Sequence, residues 1–322
     1  MPNMKKSKMK KVLTVLIIIV VSITALLSAT YINHQIRLKY EAELRSPLGQ
    51  IVEVDGNNMS VYIEGNGDTT LVFMSGAGTC SPILDFESLY SLLSDEYRIA
   101  VVEKFGYGYS DVIDKKRDID SILEDTRAAL TAAGLNAPYV LCPHSMSGLE
   151  ALYWAQKYPD EVTAIIGLDM AVPQYYDNMK INLPLMRVAS WAAGMGIHRL
   201  IPGLAESEAI LHGTLTDREK EIYKAVFYNR TATVTMINET DAVKENAEKV
   251  KSMGVPQLPM LLFISDGSGG TGFEKETWRK IAIDYISQTS NGKYIELDCP
   301  HYVHDHEYIK ISESISEFLL NK

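Results

Sequence analysis

The stretch VLCPHSMSGLEALYWAQKYP, residues 140–159, places a short apolar run directly before a helical pattern. Ser145 lies at the junction, between Pro143 and Gly148. A strand that turns sharply into a helix can expose such a hydroxyl above a sheet, and the free N–H groups of the helix then favour negative charge beside it. The corner approximates the pattern G-x-S-x-G, so Ser145 is a candidate nucleophile. The alternative is that Ser145 is only a turn residue.

Short apolar runs of the β type alternate with helical patterns on both sides of this corner. Two such runs open the series, and helical periods lie between most of the others. This order is typical of the α/β class, with a mostly parallel central sheet that is covered by helices. The predicted strands are 51–54, 59–63, 70–74, 98–102, 139–142, 163–168, 260–264 and 293–297.

The alternation stops between about residues 173 and 256, where the pattern is helical throughout. A helical insertion of this size between two strands predicts a cap over the carboxyl edge of the sheet. Open α/β sheets bind their ligands at that edge. The cap carries apolar and aromatic side chains that suit an apolar substrate group, but a cap also needs such residues for its own packing.

Further candidate site residues follow other predicted strands. Asp266 ends the run MLLFISDG, and His301 follows the last strand in LDCPHYVHDH. Asp169 follows the strand after the serine, in IIGLDMA, and is an alternative acid. The order serine, aspartate, histidine along the chain is the one expected for a hydrolase triad.

Several of these segments together resemble the α/β-hydrolase superfamily, in particular its capped serine esterases and lipase-like hydrolases. PHSMSG resembles the G-H-S-M-G-G elbow of that family, and EKFGYGYSD, residues 103–111, resembles its D-x-x-G-x-G-x-S-D stretch. The segment CPHYVHDHEYIKISESISEFL, residues 299–319, resembles the part that carries the catalytic histidine. The resemblance covers residues 49–322. It departs at Pro143 and Ser147, which replace the elbow glycines, and at Ser75, where the family usually has histidine.

The resemblance implies a serine hydrolase that forms an acyl-enzyme. Ser145 would attack a carbonyl, His301 would act as the base, and Asp266 would hold the imidazole in its working tautomer. We favour Asp266 over Asp169 because the turn SDG stands where the family most often has its acid.

The oxyanion would be stabilised by the backbone N–H groups of Met146 and of Gly76 or Ala77. The loop FMSGAGT, residues 73–79, supplies the last two. The resemblance implies no cofactor and no metal, and it implies a small-molecule acyl substrate with an ester or amide bond.

Three alternatives stay open at this point. Glu206 and Glu208 in the cap could bind a substrate amine, as in an aminopeptidase that resembles the proline iminopeptidases. His301, His304 and His306 with Asp305 could bind a metal, although their spacing is not a standard zinc pattern. Finally, the fold could serve as a binding module without turnover.

The three cysteines fit neither a disulfide framework nor a zinc site, because their number is odd and their spacing is irregular. We therefore expect free, buried thiols at Cys80, Cys142 and Cys299.

Charge is distributed unevenly along the chain. Residues 1–11 contain five lysines and no acid, whereas the whole chain has a formal net charge of −10. Removing those five from the 31 basic residues leaves 26 against 41 acidic ones, a net charge of −15. An acidic body binds a phosphate backbone poorly, so nucleic acid is not an expected partner.

The lysines precede VLTVLIIIVVSITALLSAT, residues 12–30, which has no charge. About 20 such residues cross a bilayer. We expect a cytoplasmic basic tail (1–11), a transmembrane anchor (12–31), a polar linker (32–48) and the hydrolase domain (49–322). Lysines before the span predict a single-pass protein of the cell membrane with its catalytic domain outside the cytoplasm. The alternative is a cleaved signal peptide, although its apolar region is usually shorter.

Overall fold

The computed structural model describes residues 2–321, with side chains from residue 8 onward. Its centre is an eight-stranded sheet in the order β1-β2-β4-β3-β5-β6-β7-β8. The pairs β1/β2 and β2/β4 are antiparallel, and the other five pairs are parallel. This confirms the predicted mostly parallel sheet. The strands are Gln50–Val54 (β1), Asn57–Glu64 (β2), Thr70–Met74 (β3), Arg98–Glu103 (β4), Tyr139–Pro143 (β5), Val162–Leu168 (β6), Met260–Ile264 (β7) and Gly292–Glu296 (β8).

Helices cover both faces of this sheet, which explains why its central strands are apolar without interruption. Along β3, Val72 faces one core cluster, and Leu71 and Phe73 face another on the opposite side. The helices are Pro2–Tyr40 (α1), Pro82–Asp85 (α2), Glu87–Tyr90 (α3), Ile119–Ala132 (α4), Ser147–Lys157 (α5), Leu183–Gly194 (α6), Glu208–Leu211 (α7), Asp217–Arg230 (α8), Val234–Ser252 (α9), Lys275–Ile286 (α10), Val303–His306 (α11) and Tyr308–Leu320 (α12).

The segment between β6 and β7 forms helices, and its four α-helices are α6 to α9. We call residues 173–256 the cap segment. The longest of its helices, α9, packs on α5 and on the short 3-10 helix Pro173–Tyr176. The cap segment therefore contacts the helix that begins at the strand-to-helix corner.

One helix, over Lys8–Tyr40, is long and apolar enough to cross a membrane by length and composition. Its most apolar 18-residue window has a mean hydropathy of 2.8 and no buried residue. The first part of the predicted linker, residues 32–40, continues this helix. The end of α1 packs on the cap segment. Just beyond it, Glu41 accepts hydrogen bonds at both carboxylate oxygens from the guanidinium of Arg199, at 2.8 and 2.7 Å.

Candidate active site

Ser145 occupies a strained corner between β5 and α5. Its φ of 53° lies in the left-handed region, which costs free energy for a residue with a side chain. Hydrogen bonds on either side hold this turn. The N–H of Ala171 donates to the carbonyl of Ser145 at 2.7 Å, and the N–H of His144 donates to that of Met74 at 2.9 Å. The corner therefore lifts the Ser145 hydroxyl to the carboxyl end of β5, as the sequence predicts.

Two glycines allow the backbone to approach this corner closely. A Cβ at Gly76 would lie 2.6 Å from the Cβ of Ser145, and a Cβ at Gly148 would lie 2.2 Å from the carbonyl oxygen of Ala171. Neither contact tolerates a side chain, because real Cβ atoms do not approach so closely. The loop at Gly76 thus lies directly against the candidate nucleophile.

The two unusual residues of the elbow fit their positions. Ser147 is buried, and its hydroxyl donates to the carbonyl of Met74 at 2.6 Å and contacts that of His144 at 2.8 Å. Pro143 is the last residue of β5, and the next ladder bond is made by the N–H of His144. A proline costs little at this point because the strand ends there. The substituted glycines therefore leave the turn intact.

His301 lies against Asp169 rather than against Asp266. The Nδ1 atom of His301 is 2.5 Å from Oδ2 of Asp169, and both side chains are buried. Asp266 instead accepts hydrogen bonds from the N–H and the hydroxyl of Ser268, at 2.9 and 2.6 Å. The expectation that Asp266 contacts His301 is therefore wrong, because its carboxylate is used within its own turn. The alternative acid, Asp169, has the contact.

Further donors fix the orientation of the Asp169 carboxylate. Its Oδ1 accepts from the N–H of Ser265 at 2.7 Å and from the indole N–H of Trp278 at 2.8 Å. Its Oδ2 accepts from the hydroxyl of Ser265 at 2.6 Å in addition to contacting His301. Oδ1 of Asp169 thus accepts hydrogen bonds from two N–H groups, and Oδ2 faces the imidazole of His301.

His144 packs against the segment that carries His301 and Tyr302. Its ring is buried and packs on the rings of His301 and Tyr302, with centroids 4.7 and 4.8 Å apart. Burial, followed by the neighbouring imidazoles of His301 and His304, holds the pKa of His144 well below its ordinary value. The ring is therefore neutral, and its Nε2 lies 3.2 Å from the carbonyl oxygen of His301. His144 therefore has a packing role in the wall of the site and does not act as a second base.

Ser145 and His301 line the same cavity, whose volume is about 230 Å³. Within the described residues the structure records no hydrogen bond between the two side chains, and catalytic hydrogen bonds often tighten only when substrate binds. The rest of the wall is mainly apolar and aromatic, as ligand cavities usually are. It includes Ala77, Met146, Ala171, Tyr175, Tyr176, Met179, Val243, Phe273, Trp278 and Tyr302.

Two of the residues predicted to supply oxyanion donors, Met146 and Ala77, line this cavity. Met146 precedes the first turn of α5, and Ala77 belongs to the loop that follows β3. Within the described part of the chain, neither N–H is recorded as donating a hydrogen bond. Two free N–H groups beside a serine hydroxyl are suited to bind an oxyanion.

A buried ion cluster that the sequence did not predict lies next to this site. Lys104 Nζ contacts Glu150 of α5 at 2.6 Å and also contacts Glu239 of α9, which accepts from the hydroxyl of Tyr107 at 2.7 Å. Burial alone would lower the pKa of Lys104, but the two carboxylates outweigh it and raise that pKa. The sequence signal for this cluster was a lysine next to the aromatic and glycine residues of EKFGYGYSD. The cluster joins the cap segment to the elbow helix.

Replacing Lys104 by methionine should therefore destabilise the fold strongly. The change leaves two buried carboxylates without a cation, and removal of one partner of a buried ion pair typically costs about 3–5 kcal/mol. The urea midpoint of the detergent-solubilised chain measures this loss. Lys115→Met, which removes the exposed ion pair with Asp55, should leave the midpoint nearly unchanged. Equal midpoints for the two variants would contradict the role of the cluster.

The three histidines of the C-terminal segment bind three different carboxylates. His301 contacts Asp169, His304 contacts Asp85 at 3.3 Å, and His306 contacts Glu208 at 3.0 Å. They do not converge on one point, so the metal alternative based on all three is not supported. Two smaller groups have ligand atoms close together, namely Asp85, His304 and Asp305, and Glu208, His212 and His306.

The cap carboxylates considered for a substrate amine lie elsewhere. Glu206 pairs with Lys224 at 2.6 Å, Glu208 contacts His306, and neither is among the residues that line the cavity. This arrangement disfavours the aminopeptidase alternative.

The three cysteines are free and buried, as predicted. Burial raises the pKa of the Cys142 thiol well above its ordinary value. A protonated thiol inside β5 is a poor nucleophile. Cys142 therefore does not compete with Ser145.

Comparison with known proteins agrees with this architecture. A family model described as the alpha/beta hydrolase fold matches residues 69–193. The chain is 38% identical to the uncharacterised protein YbdG of Bacillus subtilis, over 97% of this chain and 99% of the relative. Among solved structures, the enol-lactonase from Burkholderia xenovorans is similar with a TM-score of 0.61, at 16% identity over 84% of this chain and 100% of that one. The haloalkane dehalogenase DbeA from Bradyrhizobium elkani is similar with a TM-score of 0.63, at 16% identity over 84% of this chain and 97% of that one. At such identities the two structures indicate the fold alone.

Proposed function

The chain belongs to the α/β-hydrolase superfamily, and on that premise we propose that it is a membrane-anchored serine hydrolase that cleaves carboxylic esters. One observation carries the proposal. Ser145, on a strained corner, shares an apolar cavity with a histidine whose other ring nitrogen is 2.5 Å from a buried carboxylate.

The proposed reaction has two steps. Asp169 accepts a hydrogen bond from the Nδ1–H of His301, so the lone pair of Nε2 can take the proton of the Ser145 hydroxyl as its oxygen attacks the ester carbonyl. The N–H groups of Met146 and Ala77 stabilise the oxyanion. The C–O bond to the alcohol then breaks, and the imidazolium returns the proton to the leaving group. Water, activated by the same imidazole, hydrolyses the acyl-serine and regenerates the enzyme.

The lining and the volume of the cavity suit a substrate whose acyl group is uncharged and of modest size. Its described wall has no Asp, Glu, Lys or Arg side chain, and its volume of about 230 Å³ is below the usual range for drug-sized ligands. A substrate ammonium would find no carboxylate there to bind it. We therefore rank ester hydrolysis above the removal of an N-terminal amino acid. A serine at the elbow also disfavours the chemistry of superfamily branches that use an aspartate nucleophile.

The membrane part of the proposal rests on α1. Its uncharged run follows five lysines, which favours an N-terminus in the cytoplasm and a catalytic domain on the outer side. The length of the run supports a membrane span, and the lysines before it support this orientation. Protease added to intact cells tests the orientation. Digestion of the catalytic domain is expected, and full protection would reverse the proposed topology.

A fluorophosphonate probe tests the proposed nucleophile. We expect the wild-type protein to be labelled covalently and Ser145→Ala to remain unlabelled while it unfolds at the same temperature as wild type. A panel of p-nitrophenyl esters of increasing chain length, compared with aminoacyl amides, then defines the acyl group. Absence of labelling in folded wild-type protein would favour the alternative of a binding module without turnover.

A further inference from the structure

Helix α6 of the cap segment exposes apolar side chains at a regular spacing. Leu185, Val188 and Trp191 are three residues apart and are 62%, 58% and 54% exposed. Only Ala193 of this helix is buried, and Arg187 is its one charged residue. A surface helix in water normally shows polar residues outward, so an apolar outer face marks an interaction surface.

Further exposed apolar side chains follow α6 in the chain. Leu200, Ile201 and Leu204 follow closely in the chain and are 59%, 50% and 43% exposed. The 3-10 helix Ile197–Leu200, which holds the first of them, packs both on α6 and on α1. We call these six residues the apolar cap face: Leu185, Val188, Trp191, Leu200, Ile201 and Leu204.

The apolar cap face is held next to α1 by specific contacts. Arg199 donates from Nε to Nδ1 of His34 at 2.9 Å, and its two terminal nitrogens donate to Glu41. Gly196 lies against the helix, since a Cβ there would meet the Cβ of His34 at 2.4 Å and the carbonyl oxygen of Thr30 at 3.0 Å. A bidentate arginine fixes orientation as well as distance. The depth of α1 in a membrane therefore sets the depth of the cap segment.

Helix length places this contact at the edge of the bilayer. The uncharged run begins at residue 12, directly after Lys11. About 20 residues, with a rise of 1.5 Å each, cross the ~30 Å hydrocarbon core, so the core ends near residue 31. His34 then lies about 5 Å beyond the core, by the same rise per residue. The segment around Arg199, which contacts His34, is consequently near the boundary between headgroups and acyl chains, where amphipathic segments bury apolar residues.

We propose that the apolar cap face inserts into the leaflet of the phospholipid bilayer from which α1 emerges. The inference rests on the anchoring part of the proposed function and adds a second, peripheral membrane contact to it. The occupant is inferred to be lipid because the segment that holds these exposed apolar side chains packs on the proposed membrane-spanning helix. The cap segment thus contacts the membrane, and the hydrolase domain lies on the membrane surface in one orientation.

Trp191 is a native reporter for this contact. The other two tryptophans, Trp154 and Trp278, are buried in the body. In vesicles of phosphatidylcholine with brominated acyl chains, the full-length protein should lose much of its Trp191 emission. Bromine near the glycerol end of the chain should quench more than bromine near the methyl end. The Trp191→Phe variant should show emission that brominated lipid leaves unchanged.

A matched control uses equal exposure outside the cap segment. Ile309 on α12 is 58% exposed, so Ile309→Trp in the Trp191→Phe background gives a reporter of similar accessibility. Its emission should be quenched by acrylamide in the water and not by brominated lipid. If Trp191 behaves like this control in protein that floats with the vesicles, the apolar cap face is in water and the inference is wrong. If the protein does not float with vesicles at all, the anchoring proposal fails together with this inference, whereas fluorophosphonate labelling still tests the hydrolase.

Discussion

Replacing His301 by alanine should lower turnover of a p-nitrophenyl ester by roughly 10⁶, as loss of the base does in other serine hydrolases. The reason is that no other imidazole in the cavity wall can take the proton of Ser145. His144 is the nearest alternative, but its Nε2 lies against the backbone carbonyl of His301. The measurement is kcat of the purified, detergent-solubilised enzyme, with labelling by the fluorophosphonate as a second readout.

His306→Ala is the control for this prediction. His306 belongs to the same segment and contacts a carboxylate, but that carboxylate is Glu208 and not Asp169. Its removal should leave most of the turnover. Losses of equal size in both variants, restored by added zinc, would favour a metal site over the proposed triad.

The second large effect concerns the acid. Asp169→Asn should lower kcat by roughly 10⁴, the loss that a wrong imidazole tautomer causes. Two N–H groups, from Ser265 and Trp278, require an acceptor at the position of Oδ1, so the amide oxygen of asparagine will stay there. The amide NH₂ then faces Nδ1 of His301. It forces the ring proton onto Nε2, where it blocks transfer from Ser145.

Asp266→Asn is the matched control, because both aspartates follow neighbouring parallel strands. Among the residues that the structure describes, the carboxylate of Asp266 accepts hydrogen bonds only from Ser268 within its own turn, so this variant should keep nearly all of its turnover. Thermal unfolding at the wild-type temperature should accompany both measurements. A large loss for Asp266→Asn with a small loss for Asp169→Asn would return the role to Asp266.

The choice between these two carboxylates shows where prediction from sequence ends. Both follow predicted strands, both end at the carboxyl edge of the sheet, and the order along the chain fits either one. The choice depends on backbone conformation and on competing donors. Asp169 has a φ of 49° and accepts from Ser265 and Trp278, whereas Ser268 binds the carboxylate of Asp266. Such contacts come from residues far apart in the chain, and spacing alone does not encode them.

By itself, the sequence determined the eight strands, the mostly parallel sheet, the sharp corner at Ser145 and the apolar run of α1. Each depends on local periodicity or on a short motif, because neighbouring residues dictate the pleat, the helical turn and the sharp corner. Only the tertiary structure decided that Asp169 meets His301, that Lys104 is buried between two carboxylates, and that Arg199 joins the cap segment to α1. Those contacts depend on which distant segments pack together and on which donors then lie within hydrogen-bond distance of each carboxylate. Both are decided only when the whole chain folds.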